Sequence, residues 1–308
     1  MQGPSMRHLT TAITCLLVAS CAPKQDVSPA AGPMTSPAYR IRAEEPKLLT
    51  DLVFASPGGV DLLLDLHLPE GKEAAPLVLF IHGGGWSAGD RKSPGMNWLV
   101  DQGYAVACIE YRMGREAPFP AQIHDCKGAL RWLRAHQHTY GYDASKVVVA
   151  GMSAGGHLAA LMGTTGGLQS LEGDTAGHLN QSSCVQGVIN YFGPSDFILR
   201  SKNQPDKTES PRGPVYKLLG GPVQQNRTLA KLASPVTHIG PDDPPMLILH
   251  GSRDRQVLPG QSRHLLERYH AGGLEAQLHI EQDKGHGWGH PTGEERRLVL
   301  AFLEKILG

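Results

Sequence analysis

The sequence predicts an α/β fold, with a mostly parallel sheet of eight strands covered by helices on both faces. Apolar runs of strand length, such as PLVLFIH and KVVVAG, alternate with helical patterns through most of the chain. Two strand-like segments, LTDLVFAS and DLLLDLHLP, come first and are joined through the Pro57-Gly58-Gly59 turn, which predicts an antiparallel pair. The chain has 308 residues, 40% of them hydrophobic and 19% charged, a composition that can bury a sizeable core.

The individual elements follow from these patterns in chain order. Strands are predicted over 49–56, 61–69, 76–86, 103–112, 146–151, 185–193, 244–254 and 276–282, and helices over 94–102, 121–140, 151–163, 260–271 and 294–307. Pro120 is predicted to open the longest helix, since proline is favoured in a first turn. Residues 196–240, rich in proline, lysine and arginine, are predicted to form an irregular insertion that serves as a small lid or rim. Because this insertion is too short for a second domain, no large cap domain is expected.

The N-terminal segment has the pattern of an export signal. A short basic start precedes an apolar stretch of about ten residues, which is too short to span a bilayer as a helix. Val18-Ala19-Ser20-Cys21 resembles the lipobox of bacterial lipoproteins, in which the cysteine is lipidated and becomes the mature N-terminus. We expect residues 1–21 to be a signal peptide of lipoprotein type, with a simply cleaved signal as the alternative. The protein is therefore expected to be exported, to the periplasm or the cell surface.

Residues 22–45 are rich in proline, alanine and serine, which predicts a semi-extended linker ahead of a domain over residues 46–308. The 29 basic side chains balance 29 acidic ones, so the charge gives no reason to expect nucleic acid or an anionic membrane surface as a partner. The one membrane contact expected is the lipid on Cys21. Whether Cys126 and Cys184 pair in an oxidising compartment is left open by the sequence.

Gly151-Met152-Ser153-Ala154-Gly155 is a G-x-S-x-G motif. The motif alone is weak evidence, because glycine-rich chains produce it by chance. Here it follows a buried strand and starts a helix, the context in which a sharp turn exposes a nucleophilic serine. The helix N-terminus also favours negative charge near a reacting carbonyl. Ser153 is therefore the predicted nucleophile.

A glycine run, HGGGW at 82–86, follows the third predicted strand. Such a loop lets backbone N–H groups face a bound carbonyl and, with the N–H of Ala154, form an oxyanion hole. Gly84 and Gly85 are the predicted donors. His82 is predicted to hold the loop through a hydrogen bond rather than to act as a base.

A serine nucleophile needs a base, and the base needs a carboxylate to orient it. His286 follows the last strand and is the predicted base, while Asp254 follows the seventh strand and is the predicted acid, because α/β sheets place active-site loops at the carboxyl ends of their strands. Other candidates are His290 for the base and Asp196, Asp242 and Asp243 for the acid. Packing, capping or surface roles are predicted for His157, His124, His136 and His138.

Together these segments resemble the esterase branch of the α/β-hydrolases. The resemblance rests on HGGGWSAGD, EYR, FPAQIHDCKGALRWLRAHQHTYGYD, GMSAGGHLAAL, ASPVTHIGPDDPPMLILHGSRD and GHGW, and it covers about residues 48–307. The branch includes hormone-sensitive-lipase-like esterases and the bifunctional acetylxylan esterase/feruloyl esterase group. Trp86 and the lack of a large N-terminal cap favour the second group. The resemblance implies Ser153 as nucleophile, Asp254 as acid, His286 as base, and an oxyanion hole near Gly84, Gly85 and Ala154.

The leading hypothesis is a serine carboxylesterase that hydrolyses short acyl esters, acetyl or feruloyl, of plant polysaccharide through an acyl-enzyme. It needs no metal and no organic cofactor, and its expected partner is the ester substrate itself. One alternative is an arylformamidase-like or peptidase-like amide hydrolase, although an export signal disfavours formylkynurenine, a cytoplasmic metabolite. The other alternative is a non-catalytic binding module, which is disfavoured because all three triad residues are present.

Overall fold

Eight strands form one continuous sheet in the computed structural model, which describes residues 47–93, 95–288 and 291–308. The strands are β1 (Lys47–Ala55), β2 (Leu62–Leu68), β3 (Ala75–Ile81), β4 (Ala105–Ile109), β5 (Tyr142–Met152), β6 (Gly187–Tyr191), β7 (Met246–Gly251) and β8 (Ala276–Glu281). Their order across the sheet is β1-β2-β4-β3-β5-β6-β7-β8. β2 runs antiparallel to both β1 and β4, and every other pair is parallel. The predicted mostly parallel sheet, with its antiparallel start, is confirmed.

The central strands are apolar along their whole length because both faces of the sheet are covered. Every residue of β4 and β7 is buried. On β3, Leu77 and Leu79 belong to the core on one face, whereas Val78 and Phe80 belong to the core on the other. The alternation of side chains along a strand therefore supplies two hydrophobic cores from one apolar run.

The helices that cover these cores are α1 (Ala121–Tyr140), α2 (Ala154–Thr164), α3 (Phe197–Asn203), α4 (Pro205–Thr208), α5 (Pro214–Leu219), α6 (Arg227–Leu232), α7 (Gly260–Ala271) and α8 (Gly293–Leu307). Helices α1, α2 and α7 contribute side chains to the first core, including Leu130, Leu158 and Leu265. Helix α8 contributes Leu298 and Leu303 to the second. Helices on both faces were predicted, and this arrangement is confirmed. Within the described ranges, no helix is long and apolar enough to cross a bilayer.

Two predicted elements were wrong. The helix expected over 94–102 is a short 3-10 helix, Asn97–Gln102, which ends at Gly103 in the left-handed conformation, φ 84°. The insertion at 196–240 is not irregular but holds α3 to α6. Its prolines start helices instead of breaking them, because Pro205 and Pro214 occupy first-turn positions where no amide hydrogen is needed.

Three predictions concern the N-terminal segments and the pairing of two cysteines. The signal peptide 1–21 with Cys21 and the linker 22–45 lie outside the described residues. Cys126 is buried on α1, Cys184 is exposed, and both are free thiols. These two cysteines are therefore not joined by a disulfide in this structure.

His157 on α2 connects the α3–α6 segment to the body of the protein. Its Nε2–H donates to the Ala233 carbonyl at 2.7 Å, and its ring stacks on Phe197 with centroids 4.9 Å apart. The same ring packs edge-to-face against Trp86, with ring centroids 5.1 Å apart. Burial lowers the pKa of His157 to about 4, so the imidazole is neutral in the folded protein at pH 7. One buried histidine thus joins α2, the α3–α6 segment and the HGGGW loop.

This buried neutral histidine predicts a pH-dependent stability. The unfolded chain binds a proton at His157 below about pH 6.5, but the folded protein binds it only near pH 4, so stability falls as pH drops through that window. The loss approaches about 1.4 kcal/mol per pH unit from this group alone. In urea titrations between pH 4 and 6.5, His157→Gln should have a correspondingly flatter dependence of the unfolding free energy on pH.

His138→Gln, which changes an exposed histidine of α1, is the matched control and should keep the wild-type slope. Equal slopes for wild type and His157→Gln would contradict a neutral, buried His157.

Candidate active site

The turn from β5 into α2 presents Ser153 in a strained backbone conformation. Its φ of 54° and ψ of −114° lie outside the regions that a residue with a side chain normally occupies. Two hydrogen bonds hold it there: its N–H donates to the Tyr191 carbonyl at 2.8 Å, and its carbonyl accepts from the N–H of His157 at 2.9 Å. At Gly155 a Cβ atom would lie 2.0 Å from the Ile81 carbonyl oxygen, so the second glycine of the motif lets this turn pack against β3.

Ser153, His286 and Asp254 form a continuous hydrogen-bonded chain. Ser153 Oγ lies 2.8 Å from His286 Nε2, and His286 Nδ1 lies 2.7 Å from Asp254 Oδ2. An ionised carboxylate only accepts hydrogen bonds, so Nδ1 carries the proton. Nε2 is then left with a lone pair directed at the serine hydroxyl. The structure thus brings together the three residues predicted as nucleophile, base and acid.

Asp254 is a buried carboxylate that stays ionised. Burial acts to raise its pKa, but hydrogen bonds from His250 and His286 outweigh that effect and hold the pKa of Asp254 well below its usual range. Its Oδ1 accepts from the N–H groups of Gln256 and Val257 at 2.8 and 3.0 Å. The negative charge beside His286 therefore persists across the neutral pH range.

His250 is a residue of this site that the sequence did not reveal. It lies in β7 with its Nε2 3.1 Å from Asp254 Oδ2 and 2.9 Å from the Val257 carbonyl. Its Nδ1 lies 2.7 Å from the Ser262 hydroxyl. Since the carbonyl and the carboxylate both accept, Nε2 carries the proton and helps to fix the carboxylate. The only sequence signal is a polar residue in an otherwise apolar strand.

The rival candidates for the acid lie in other surroundings. Asp196 caps α3 by accepting from the N–H groups of Ile198 and Leu199, and its Oδ2 lies 3.3 Å from His264 Nε2. Asp243 accepts from the N–H of Gly240 ahead of β7, at the opposite end of that strand from Asp254. The rival base, His290, lies outside the described residues.

The loop after β3 depends on its glycines. Gly84 has φ 114°, and a Cβ there would lie 1.9 Å from the Ala88 carbonyl oxygen, so only glycine fits. The carbonyl of Gly84 accepts from the N–H of Ala88 and closes the loop on itself. In the described part of the chain, no acceptor is bound by the N–H groups of Gly84, Gly85 or Ala154. These three amides remain free to donate to a bound oxygen.

His82 supports this loop from beneath. Its Nδ1 lies 2.7 Å from the Gly83 carbonyl, and its ring stacks on Tyr111 with centroids 4.5 Å apart. Burial lowers the pKa of His82, which keeps the ring neutral. These contacts match the loop-holding role predicted for it, and its Nδ1 and Nε2 make no contact with Ser153.

Ser153 lies on the wall of a cavity of about 840 Å³. Glycines of the loop after β3 form one wall, and aromatic side chains form much of the rest: Phe80, Trp98, Tyr191, Phe192 and Trp288. The ring centroids of Phe192 and His286 lie 4.9 Å apart, so the aromatic wall begins directly beside His286. Among the described residues, no cluster of histidine, cysteine, aspartate or glutamate is arranged to hold a metal ion.

Two curated relatives of this chain are esterases. LipC, an esterase of Mycobacterium tuberculosis, is 30% identical over 240 residues, which are 75% of this chain and 59% of LipC. LipQ, another esterase of that organism, is 29% identical over 82% of this chain and 60% of LipQ. The chain therefore spans about three fifths of each of these relatives.

Solved structures of similar fold are also esterases. A truncated carbohydrate esterase from gut microbiota is 28% identical, with a TM-score of 0.75 over 85% of this chain and 97% of that one. A bifunctional GH43-CE protein of Bacteroides eggerthii is 31% identical, with a TM-score of 0.77 over 85% of this chain and 38% of that one. Est2 of Thermogutta terrifontis, solved with propionate bound, is 26% identical, with a TM-score of 0.67 over 87% of this chain and 97% of that one. The fold is accordingly the α/β-hydrolase fold.

The BD-FAE family model matches residues 64–269, which include Ser153, Asp254 and the loop after β3. The match covers more than half of the chain and includes β3 to β7, the serine turn and the glycine loop, and it ends before β8 and His286. The chain therefore belongs to the BD-FAE family of the α/β-hydrolase fold.

Proposed function

We propose that this protein is a serine carboxylesterase that works through a Ser153–His286–Asp254 triad. The observation that carries the proposal is the pair of hydrogen bonds at 2.8 and 2.7 Å that link Ser153 Oγ to His286 and His286 to Asp254. Esterase relatives and carbohydrate esterase structures support ester hydrolysis as the reaction.

In the proposed mechanism, Ser153 Oγ attacks the ester carbonyl carbon while its proton passes to His286 Nε2. The carbonyl π electrons move to oxygen, and the N–H groups of Gly84, Gly85 and Ala154 donate to that oxyanion. The C–O bond to the alcohol then breaks, and the alcohol leaves with the proton from His286. Throughout, the ionised Asp254 stabilises the imidazolium that forms.

The resulting acyl-enzyme is hydrolysed by the same groups in reverse. Water gives its proton to His286 Nε2 as it attacks the acyl carbon, and the second tetrahedral intermediate collapses to release the acid and return the proton to Ser153. The bonds and protons balance with water as the only co-reactant. The cycle uses no group beyond the side chains and amides of this site.

The proposed substrates are short acyl esters, acetyl or feruloyl, on plant polysaccharide. The names of two structural neighbours, a carbohydrate esterase and a GH43-CE protein, support a carbohydrate substrate. The aromatic wall of the cavity supports it as well, because flat aromatic side chains pack on both sugar rings and aryl groups.

We propose that a lipid on Cys21 anchors the exported enzyme to a membrane surface. Residues 22–45 would then form the tether between the lipid and the folded domain. The support is the lipobox-like sequence Val18-Ala19-Ser20-Cys21 behind a short apolar stretch. Such a tether would let the site reach an external polymer.

Ser153→Ala should lower kcat for 4-nitrophenyl acetate by at least about 10³-fold, because the nucleophile is lost while folding is retained. Steady-state kinetics on purified protein measure this effect. Ser145→Ala, an exposed serine of β5, is the matched control and should stay within about twofold of wild type. Full activity of Ser153→Ala would exclude the mechanism.

A substrate panel separates ester from amide hydrolysis. Wild-type kcat/KM should be higher on acetylated xylan or methyl ferulate than on N-formylkynurenine. The reverse ranking would favour an arylformamidase-like enzyme and overturn the substrate assignment.

Lipidation is tested by metabolic labelling with an alkyne palmitate analogue in a bacterial host. The full chain should be labelled and membrane-bound, and Cys21→Ser should lose both properties. An unlabelled wild-type chain released in soluble form would show a simply cleaved signal instead.

A further inference from the structure

Arg200 is a buried cation on the wall of the proposed active site. It lies on α3 with 3% of its surface exposed, and it borders the same cavity as Ser153 and His286. Its Nη2 donates to the Gln256 carbonyl at 2.8 Å, but its Nε, also buried, donates to no group. Across 47–93, 95–288 and 291–308, no carboxylate forms an ion pair with this guanidinium.

A buried guanidinium without an ion-pair partner is unusual, because removing a charge from water without a counter-ion costs free energy. Burial lowers the pKa of Arg200 to about 10, and Coulomb attraction from Asp254 and Asp206 acts against this. The group still carries its charge at neutral pH. Two other buried cations have carboxylate partners: Arg91 reaches three carboxylates, and Lys127 pairs with Glu172 at 2.8 Å. Buried Arg134, like Arg200, pairs with no carboxylate of the described residues, but its Nε and both Nη atoms donate to protein acceptors.

We propose that Arg200 forms an anion subsite of the cavity and selects esters that carry a carboxylate on the acyl or the alcohol portion. The guanidinium has N–H donors in a planar fork, and the chain uses one of them. A carboxylate is the group whose two oxygens match that fork. This inference rests on the proposed esterase function, since it names a chemical feature of the substrate of that same site. An acetyl or feruloyl ester can carry the carboxylate only on its alcohol portion, whereas a carboxylate on the acyl portion would replace the acyl group proposed above.

The competing explanation gives Arg200 a purely structural role. Its bond to the Gln256 carbonyl reaches the loop whose N–H groups bind Asp254, and Gln204 Nε2 donates to the same carbonyl at 3.3 Å. If Arg200 only positions this loop, its loss would impair every substrate equally. An anion subsite instead predicts a loss that depends on substrate charge.

The test compares matched esters with and without a carboxylate. In the first pair, mono-4-nitrophenyl adipate carries a carboxylate on its acyl portion, and 4-nitrophenyl hexanoate is its neutral counterpart. In the second pair, 4-acetoxybenzoate carries a carboxylate on its alcohol portion, and methyl 4-acetoxybenzoate is the neutral counterpart. In Arg200→Gln, the ratio of kcat/KM for the charged over the neutral ester should fall at least about tenfold for one pair, as expected for loss of a charge-assisted hydrogen bond. That pair identifies the portion that carries the carboxylate.

Arg200→Lys should retain part of the selectivity, since lysine keeps the charge but loses the fork. Arg255→Gln removes an exposed arginine from the same loop and should leave both ratios unchanged, which controls for long-range charge. If Arg200→Gln lowered kcat/KM equally for the charged and the neutral esters, the inference would be overturned in favour of loop positioning.

A binding measurement separates this inference from the proposed catalysis. Calorimetric titration of adipate and of benzoate into the Ser153→Ala protein at pH 7 should detect one carboxylate site that Arg200→Gln weakens at least about tenfold. If the carboxylate binds but the wild-type protein hydrolyses no ester, the anion subsite is retained and the proposed esterase function is rejected. No binding of either carboxylate to a folded protein would overturn the subsite.

Discussion

The hydrogen-bonded chain from Asp254 through His286 to Ser153 is the constraint on which the rest of the site depends. Its three residues follow β7, β8 and β5, so they meet only because parallel strands end at one edge of a shared sheet. β6 lies between β5 and β7, and the carbonyl of its last residue, Tyr191, holds the amide of Ser153. Sheet order and register thus set distances of less than 3 Å between groups that are 32 and 133 residues apart in the chain.

Two unfavourable features are retained at this site and balanced by the scaffold. Ser153 occupies a backbone conformation that costs on the order of 1–3 kcal/mol, and hydrogen bonds to Tyr191 and His157 keep it there. Asp254 remains ionised although buried, because His250, His286 and two backbone amides bind it. The strain at Ser153 and the buried charge of Asp254 lie where the proposed reaction would develop new charge, whereas the apolar cores on both faces supply the stability.

The sequence was most informative where local pattern and position agree. Apolar runs predicted the sheet, and the G-x-S-x-G motif between a strand and a helix predicted the turn at Ser153. Composition misled in the insertion, where Pro205 and Pro214 suggested irregular structure but start helices. Local patterns also failed where distant segments make contact. A lone histidine in β7 gave no sign that His250 would reach Asp254, and nothing in the insertion singled out Arg200 as a buried cation. These depend on how the α3–α6 segment and the strand-end loops pack, which no local pattern encodes.

The most direct measurement of the central claim is mass spectrometry of the protein after reaction with a fluorophosphonate. An activated nucleophile at Ser153 predicts one covalent adduct per chain on the peptide that contains this serine. The same reaction should be much slower in His286→Ala, because the proposed base for the serine proton is missing. Folded wild-type protein that takes up no adduct, or takes it up on another residue, would contradict the account.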